Sequence, residues 1–476
     1  PSLGSPKLLV IPVWFTDTSS YAIEESHKED VRSDIEAAFF GTKEETGWNS
    51  VKSYYETLSD GRLEFNGLVT EWWESGMSSQ TAGASQNATL TLLNNAVDWY
   101  FSLPDAEPRT SFDLDGDGYL DAVTLIYGAP DHQSLYYDWD SSNNSGYDNL
   151  WAYCSWSQGR SNVENPTANA FLWASYDFMY DRSKGYERTG VRYYGGGDTS
   201  HVEIDAHTFI HETGHLFGFN DYYDYSQQYN PAGGFSMQDE NVGSHDPYSA
   251  MAAGWVDPIL PNESMTLTIN PFQDEGHDLI LLTNAWNGDN SPFDEYILLE
   301  LYTPTGLNEL DATYSYRNQY PQGPSEPGIR VWHVDSRLVK GRALLNGSSV
   351  TFSSTPLTDP TIDGCYLMQT NTSYSSRNPS AFASYGSVLG QSYADYNLLQ
   401  LIKNDTSATF KTRYGTNVSN NDLFGDGSLF NMSRYNKQFV HGNELNCKDY
   451  LGWQFDVTIN ETDDGVTATI DLTKAN

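Results

Sequence analysis

The sequence predicts an α+β fold in two parts, and three observations carry that expectation. At 476 residues the chain exceeds what one ordinary hydrophobic core serves. Residues 1–257 mix helical and strand-like patterns around the stretch His211-Glu-Thr-Gly-His215, as a twisted sheet with a site-bearing helix would. From 258 to 476 the pattern changes to short strands and turns, which argues for an all-β region of sandwich type.

The elements follow in order. Lys7–Asp17 reads as a buried strand, because it is a short apolar run rich in branched residues. Helical patterning appears at Glu29–Phe40 and at Asn49–Ser59, the second stopped by Asp60 and Gly61. Leu63–Trp73 alternates as a strand, and 88–102 is helical again. An acidic loop at 113–121 runs into a strand at Ala122–Tyr127. Residues 130–150 form a polar, tyrosine-rich loop. Order then resumes at Asn149–Trp156 and in a strand at Ala170–Tyr180. Tyr193–Asp198 is a glycine-rich approach to the helix carrying His211, whose start Asp205 or Thr208 is placed to cap.

Tyr222–Pro231 reads as loop and Gly233–Asp239 as a turn carrying Met237. Asp246–Trp255 reads as a helix with Pro247 in its first turn and Gly254 near its end. Pro258 and Pro261 mark the boundary between the two parts. Strands are then expected at Met265–Ile269, Leu279–Thr283, Glu295–Leu301, Gly328–Val334, Ala408–Arg413 and Val466–Leu472. Asp422–Gly427 echoes the acidic loop but reads as a turn.

Composition narrows the functions. A net charge of −39 repels nucleic acid and anionic membranes and favours divalent cations. No run approaches the roughly 20 apolar residues of a membrane span, so membrane insertion is not expected. Charged residues are only 19% and aromatic residues 14%, which fits a globular chain and not a disordered acidic one. Three cysteines allow at most one internal disulfide, and Cys365 with Cys447 is the first pair to try. The chain opens at Pro1 without a charged and then apolar leader, so a secreted, mature form is expected, with signal and pro-segment removed. A monomer is expected.

The chemistry concentrates at His211–Asp221. On a helix, residues four apart share a face, so His211 and His215 can converge on one cation. Glu212 stands beside the first ligand, where its carboxylate can act on the attacking water. Gly218 lets the chain turn at the helix end, and Asp221 can return as a third ligand. That donor set, with a fourth position for water, is the pattern of one catalytic zinc. Glu240 and Asp224 are rivals for the third place, and Asp221 leads by spacing. His245 and Tyr248 are candidates to stabilise an oxyanion, whereas His333, in a strand, reads as a core histidine.

The acidic loop has carboxylates at alternate positions and glycine at the sixth, like the first part of an EF-hand loop. Its expected structural calcium ligands are Asp113, Asp115, Asp117, Tyr119 and Asp121. Thr124 stands where the twelfth-position glutamate would be.

Several stretches together resemble the immune inhibitor A family of secreted bacterial metallopeptidases, which are metzincin-like. They are Leu8–Asp17, Tyr54–Gly61, the loop at 113–121, the H-E-x-x-H-x-x-G-x-x-D signature, Gly243–Trp255, Glu295–Glu300 and Gly328–Asp335. Tyr153 stands where the family has a histidine. The resemblance implies a metzincin-like catalytic domain and a secreted zinc endopeptidase acting on protein or peptide substrates. It implies that calcium stabilises the protein and that a propeptide is removed. It gives His211, His215 and Asp221 to zinc, Glu212 to catalysis and Met237 to a methionine turn. The alternative is a glycan- or host-surface-binding protein with a vestigial metal site, its 33 tyrosines and 13 tryptophans serving as stacking platforms.

Overall fold

The computed structural model describes residues 2–132, 149–157, 159–180, 191–194, 200–273, 277–284, 291–317, 320–337, 339–343, 350–356, 365–368, 370–372 and 396–475. The fold is mixed, with several sheets and few helices. The chain divides into two compact units. The first is Pro1–Phe219 with Tyr316–Asn318, and the second is Asn220–Ser315 with Gln319–Asn476.

The first unit contains a six-stranded sheet. Its strands are β1 (Lys7–Trp14), β2 (Asn66–Val69), β3 (Trp73–Glu74), β4 (Ala122–Tyr127), β5 (Tyr153–Trp156) and β6 (Ala170–Ser175). They run in the order β2-β1-β4-β6-β5, with β3 also on β1. All pairs are parallel except the last, where β5 lies antiparallel to β6 in the register Tyr153↔Trp173. Among the described residues β5 is therefore a sheet edge.

β1 and β4 are central and buried on both faces, which is why their sequences read as continuous apolar runs instead of alternating. Leu9, Ile11 and Val13 form one core with Leu92, Leu93, Ala96 and Val97. The last four lie on the helix Gln86–Phe101, which Ser85 caps by accepting from Ala88 N–H. Three more helices pack in sequence: Lys28–Phe40 on Val51–Leu58, and Val51–Leu58 on His207–Leu216. His207–Leu216 in turn packs on β5 and β6. Ser50 and Ser53 make a capping box at the start of Val51–Leu58.

The second unit contains two four-stranded antiparallel sheets. One joins Ile280–Leu282, Glu295–Tyr302, Gly328–Asp335 and Leu399–Ile402 in that order. The other runs Leu429–Asn431, Trp453–Thr462, Gly465–Lys474 and Met265–Ile269. Ile297, Leu299 and Val331 of the first sheet share a core with Phe455, Val457 and Ile470 of the second.

The two compact units meet at Phe219/Asn220, because the segment that follows is bonded to the β-rich half. Pro231 O accepts from Leu401 N–H at 2.9 Å, Gly233 O from Val418 N–H at 2.8 Å, and Asn230 N–H donates to Thr412 O at 2.8 Å. Ala408–Arg413 is not a strand. Asp405 accepts from Ser407 N–H and Oγ, each at 2.7 Å, which sets a turn, and of the segment only Arg413 makes a bridge, to Tyr229. Cys447 is a free thiol, and the side chain of Cys365, the first partner to try for it, lies outside the described residues. Burial, reinforced by the Glu295 carboxylate, pushes the Cys447 thiol up to about 12.

Candidate metal centre

The helix His207–Leu216 is held at both ends and along its length. Ala206 is its N-cap without a side-chain cap, but Asp205 Oδ1 accepts from His207 N–H at 2.9 Å and from His207 Nδ1 at 2.7 Å. The His207 ring lies between Trp48 and Tyr316, stacked at 4.0 and 4.2 Å. Asp205 Oδ2 also receives Tyr316 Oη at 2.6 Å and Arg317 Nη2 at 2.8 Å. Burial alone would raise the Asp205 pKa, but the charges of His207 and Arg317 outweigh it and hold the carboxyl well below its usual range. Mid-helix, Tyr55 Oη donates to Ile210 O at 2.6 Å and Phe39 stacks on Phe209 at 5.1 Å.

At the far end Gly218 takes φ +89°. Nothing would crowd a Cβ there, so the residue is needed for its left-handed backbone and not for room. The turn brings Phe219 O to 2.7 Å from His215 Nδ1. A carbonyl only accepts, so Nδ1 carries the proton and Nε2 is the nitrogen left for a metal.

His211, His215 and Asp221 each offer a ligand atom, and these atoms lie within 4.8 Å of one another. The two imidazoles stand nearly perpendicular at 87°, with centroids 4.9 Å apart. His211 and Asp221 are buried, at 5% and 7% exposure, while His215 is half-buried. Two imidazoles and a carboxylate are a donor set that suits zinc with one position left for water. Glu212, 7% exposed, sits on the same helix, and it lies near enough to Cys154 of β5 to raise that thiol further after burial has already done so.

The rivals for the third ligand are engaged elsewhere. Asp224 accepts from Ser226 N–H and Oγ, Gln228 N–H and Tyr229 N–H, organising its own loop. Glu240 Oε1 receives Tyr414 Oη at 3.3 Å. Met237 is fully buried and opens a one-turn helix, its N–H bonded to Ser244 O at 3.1 Å. The carbonyl just before this turn, Phe235 O, receives Arg330 Nη1 at 2.9 Å. Arg330 is itself buried against Glu300 at 2.6 Å. Tyr248 is buried, with its hydroxyl on Met368 Sδ at 3.2 Å, and His245 is fully buried. His333 lies in the core with Nε2 2.7 Å from Glu295 Oε1.

In the acidic loop Asp113, Asp115 and Asp117 are grouped closely enough for one cation. Asp121 lies outside that group of carboxylates. Asp121 takes Leu114 N–H on both oxygens, at 3.0 and 3.1 Å, and Tyr119 Oη donates to Gly159 O at 3.0 Å. Burial raises the Asp121 pKa to about 6.

Sequence reading missed two parts of this assembly. One is the Asp205–Tyr316–Arg317 cluster, whose partners are too far apart in sequence to signal each other. The other is Tyr225, whose hydroxyl is 2.6 Å from Asp221 Oδ2; its place four residues after that aspartate was the one available sign. No protein-family model matches the chain, and no curated protein matches it. The motifs and the geometry therefore carry the functional reading by themselves.

Proposed function

We propose that this chain is a secreted zinc endopeptidase of metzincin-like fold, with His211, His215 and Asp221 as the metal ligands and Glu212 as general base and acid. The observation that carries the reading is the convergence of those three ligand groups beside a buried glutamate on the same helix. Zinc there would supply a Lewis acid that polarises the scissile carbonyl and acidifies a coordinated water. Glu212 takes the proton from the attacking water and passes it to the leaving amine nitrogen. His215, with Nδ1 held by Phe219 O, would offer Nε2 to the metal.

The sheet supports a peptide as substrate. Among the described residues β5 is an antiparallel edge beside the site helix. An extended peptide can add to such an edge through its main chain, which aligns many sequences without reading their side chains. The order β2-β1-β4-β6-β5 with one antiparallel edge fits the metzincin-like reading, and we take the two antiparallel sheets sharing a core as a β-sandwich. The same reading gives a structural calcium to Asp113, Asp115 and Asp117.

The test is Glu212→Gln, assayed on casein and on a mixed peptide library with zinc content measured in parallel. Zinc should be retained at the wild-type level while cleavage falls by about 10²–10⁴-fold. A zinc-loaded variant cleaving at near-normal rate would remove Glu212 from the mechanism. Wild-type protein that binds zinc but cleaves nothing in the library would favour the binding-module alternative.

A further inference from the structure

We infer that Tyr225 is a positioning residue for the third zinc ligand: its phenol holds one oxygen of Asp221 and so orients the carboxylate to coordinate through the other. This rests on the zinc-site reading above. Tyr225 Oη donates to Asp221 Oδ2 at 2.6 Å, in the short range of hydrogen bonds to a carboxylate. Asp221 follows a glycine turn and has no helix to fix its rotamer. A second partner is what gives such a ligand one direction, and partners of this kind commonly set both geometry and basicity at metal sites.

The loop that presents Tyr225 is tied down independently of any metal. Asp224, its neighbour, gathers Ser226 N–H at 3.1 Å, Ser226 Oγ at 2.8 Å and Gln228 N–H at 3.1 Å. Gln227 N–H closes on Asp224 O at 2.8 Å, and Gln227 adopts φ +54° to complete the turn. Tyr225 N–H is bonded to Thr372 O at 3.2 Å. The tyrosine is thus held by its backbone while 64% of it is exposed, whereas the carboxylate it reaches is 7% exposed. A ring so exposed adds little to core packing. Its hydroxyl, however, meets a buried charge, and removing that oxygen leaves the fold's apolar contacts as they were.

Zinc affinity, measured by competition with a chromogenic chelator, separates this role from a general one. Four proteins are compared: wild type, Tyr225→Phe, Asp221→Ala and the double variant. Tyr225→Phe should weaken zinc binding about tenfold to a hundredfold. In the Asp221→Ala background the same change should have no further effect, because the group it acts through is gone. The zinc-free Tyr225→Phe protein should stay folded, its melting temperature lowered only by the loss of one hydrogen bond to a buried carboxylate. Unchanged affinity in Tyr225→Phe, or an equal loss in both backgrounds, would overturn the inference while leaving the zinc site standing. Wild-type protein that takes no zinc would overturn the site reading itself.

Discussion

Replacing Asp205 by alanine is the sharpest test of how the site helix is held. The carboxylate is 1% exposed and receives His207 N–H, His207 Nδ1, Tyr316 Oη and Arg317 Nη2, all between 2.6 and 2.9 Å. Alanine removes every one of these acceptors at once and leaves the guanidinium without its counter-charge. Breaking a buried pair by deleting one partner costs about 3–5 kcal/mol. For a unit of this size that corresponds to a melting-temperature fall of about 6–20 °C. The peptidase activity proposed above should fall as well, because His211 lies one helical turn beyond His207.

The pH dependence supplies a second check on Asp205. Its folded pKa is depressed, so its contribution is complete above the unfolded value near 3.8 and is lost as pH falls towards the folded value. The wild type–variant gap in urea stability should therefore shrink as pH falls below about 4. Trp48, stacked on His207, gives a local fluorescence probe. A gap under about 1 kcal/mol at pH 7, or one that grows as pH falls below about 4, would refute the reasoning.

Two other perturbations are informative. Glu300→Ala strips the buried Arg330 of its ion pair below the methionine turn and should cost about 3–5 kcal/mol in denaturant titration; Glu300→Gln should recover part of this by keeping an acceptor for Trp332 Nε1. Removing the calcium proposed above with a selective chelator should lower the melting temperature and speed proteolysis near Asp113–Asp117, by leaving the three carboxylates to repel one another. Calorimetry with and without added calcium checks this, and identical scans would return the loop to an ordinary turn.

The parts that were legible in the sequence are those encoded by local spacing. His211 and His215 are four apart on a helix and Gly218 turns it, so the approach of Asp221 could be anticipated from eleven consecutive residues. β1 and β4 announced themselves as unbroken apolar runs because both their faces are covered. The errors have the opposite character. Ala408–Arg413 has strand composition, but the Asp405 turn and a bond from Phe410 N–H to Lys437 O take its backbone elsewhere. Trp453–Thr462, which alternates buried and exposed residues, was passed over.

The antiparallel edge β5 has a cost that catalysis does not reveal. Protein sheets usually guard their edges with lysines, prolines or bulges, since an open row of N–H and C=O groups invites any passing strand. Tyr153-Cys-Ser-Trp156 carries no charge and no proline, and its last ring is 52% exposed. On the function proposed above, an edge that admits peptides of many sequences cannot be barricaded by its own side chains. The same opening that would take a substrate will take an unfolded copy of the chain, so at high concentration self-association should begin here. A short extended peptide, added in excess, should then act as both ligand and solubiliser.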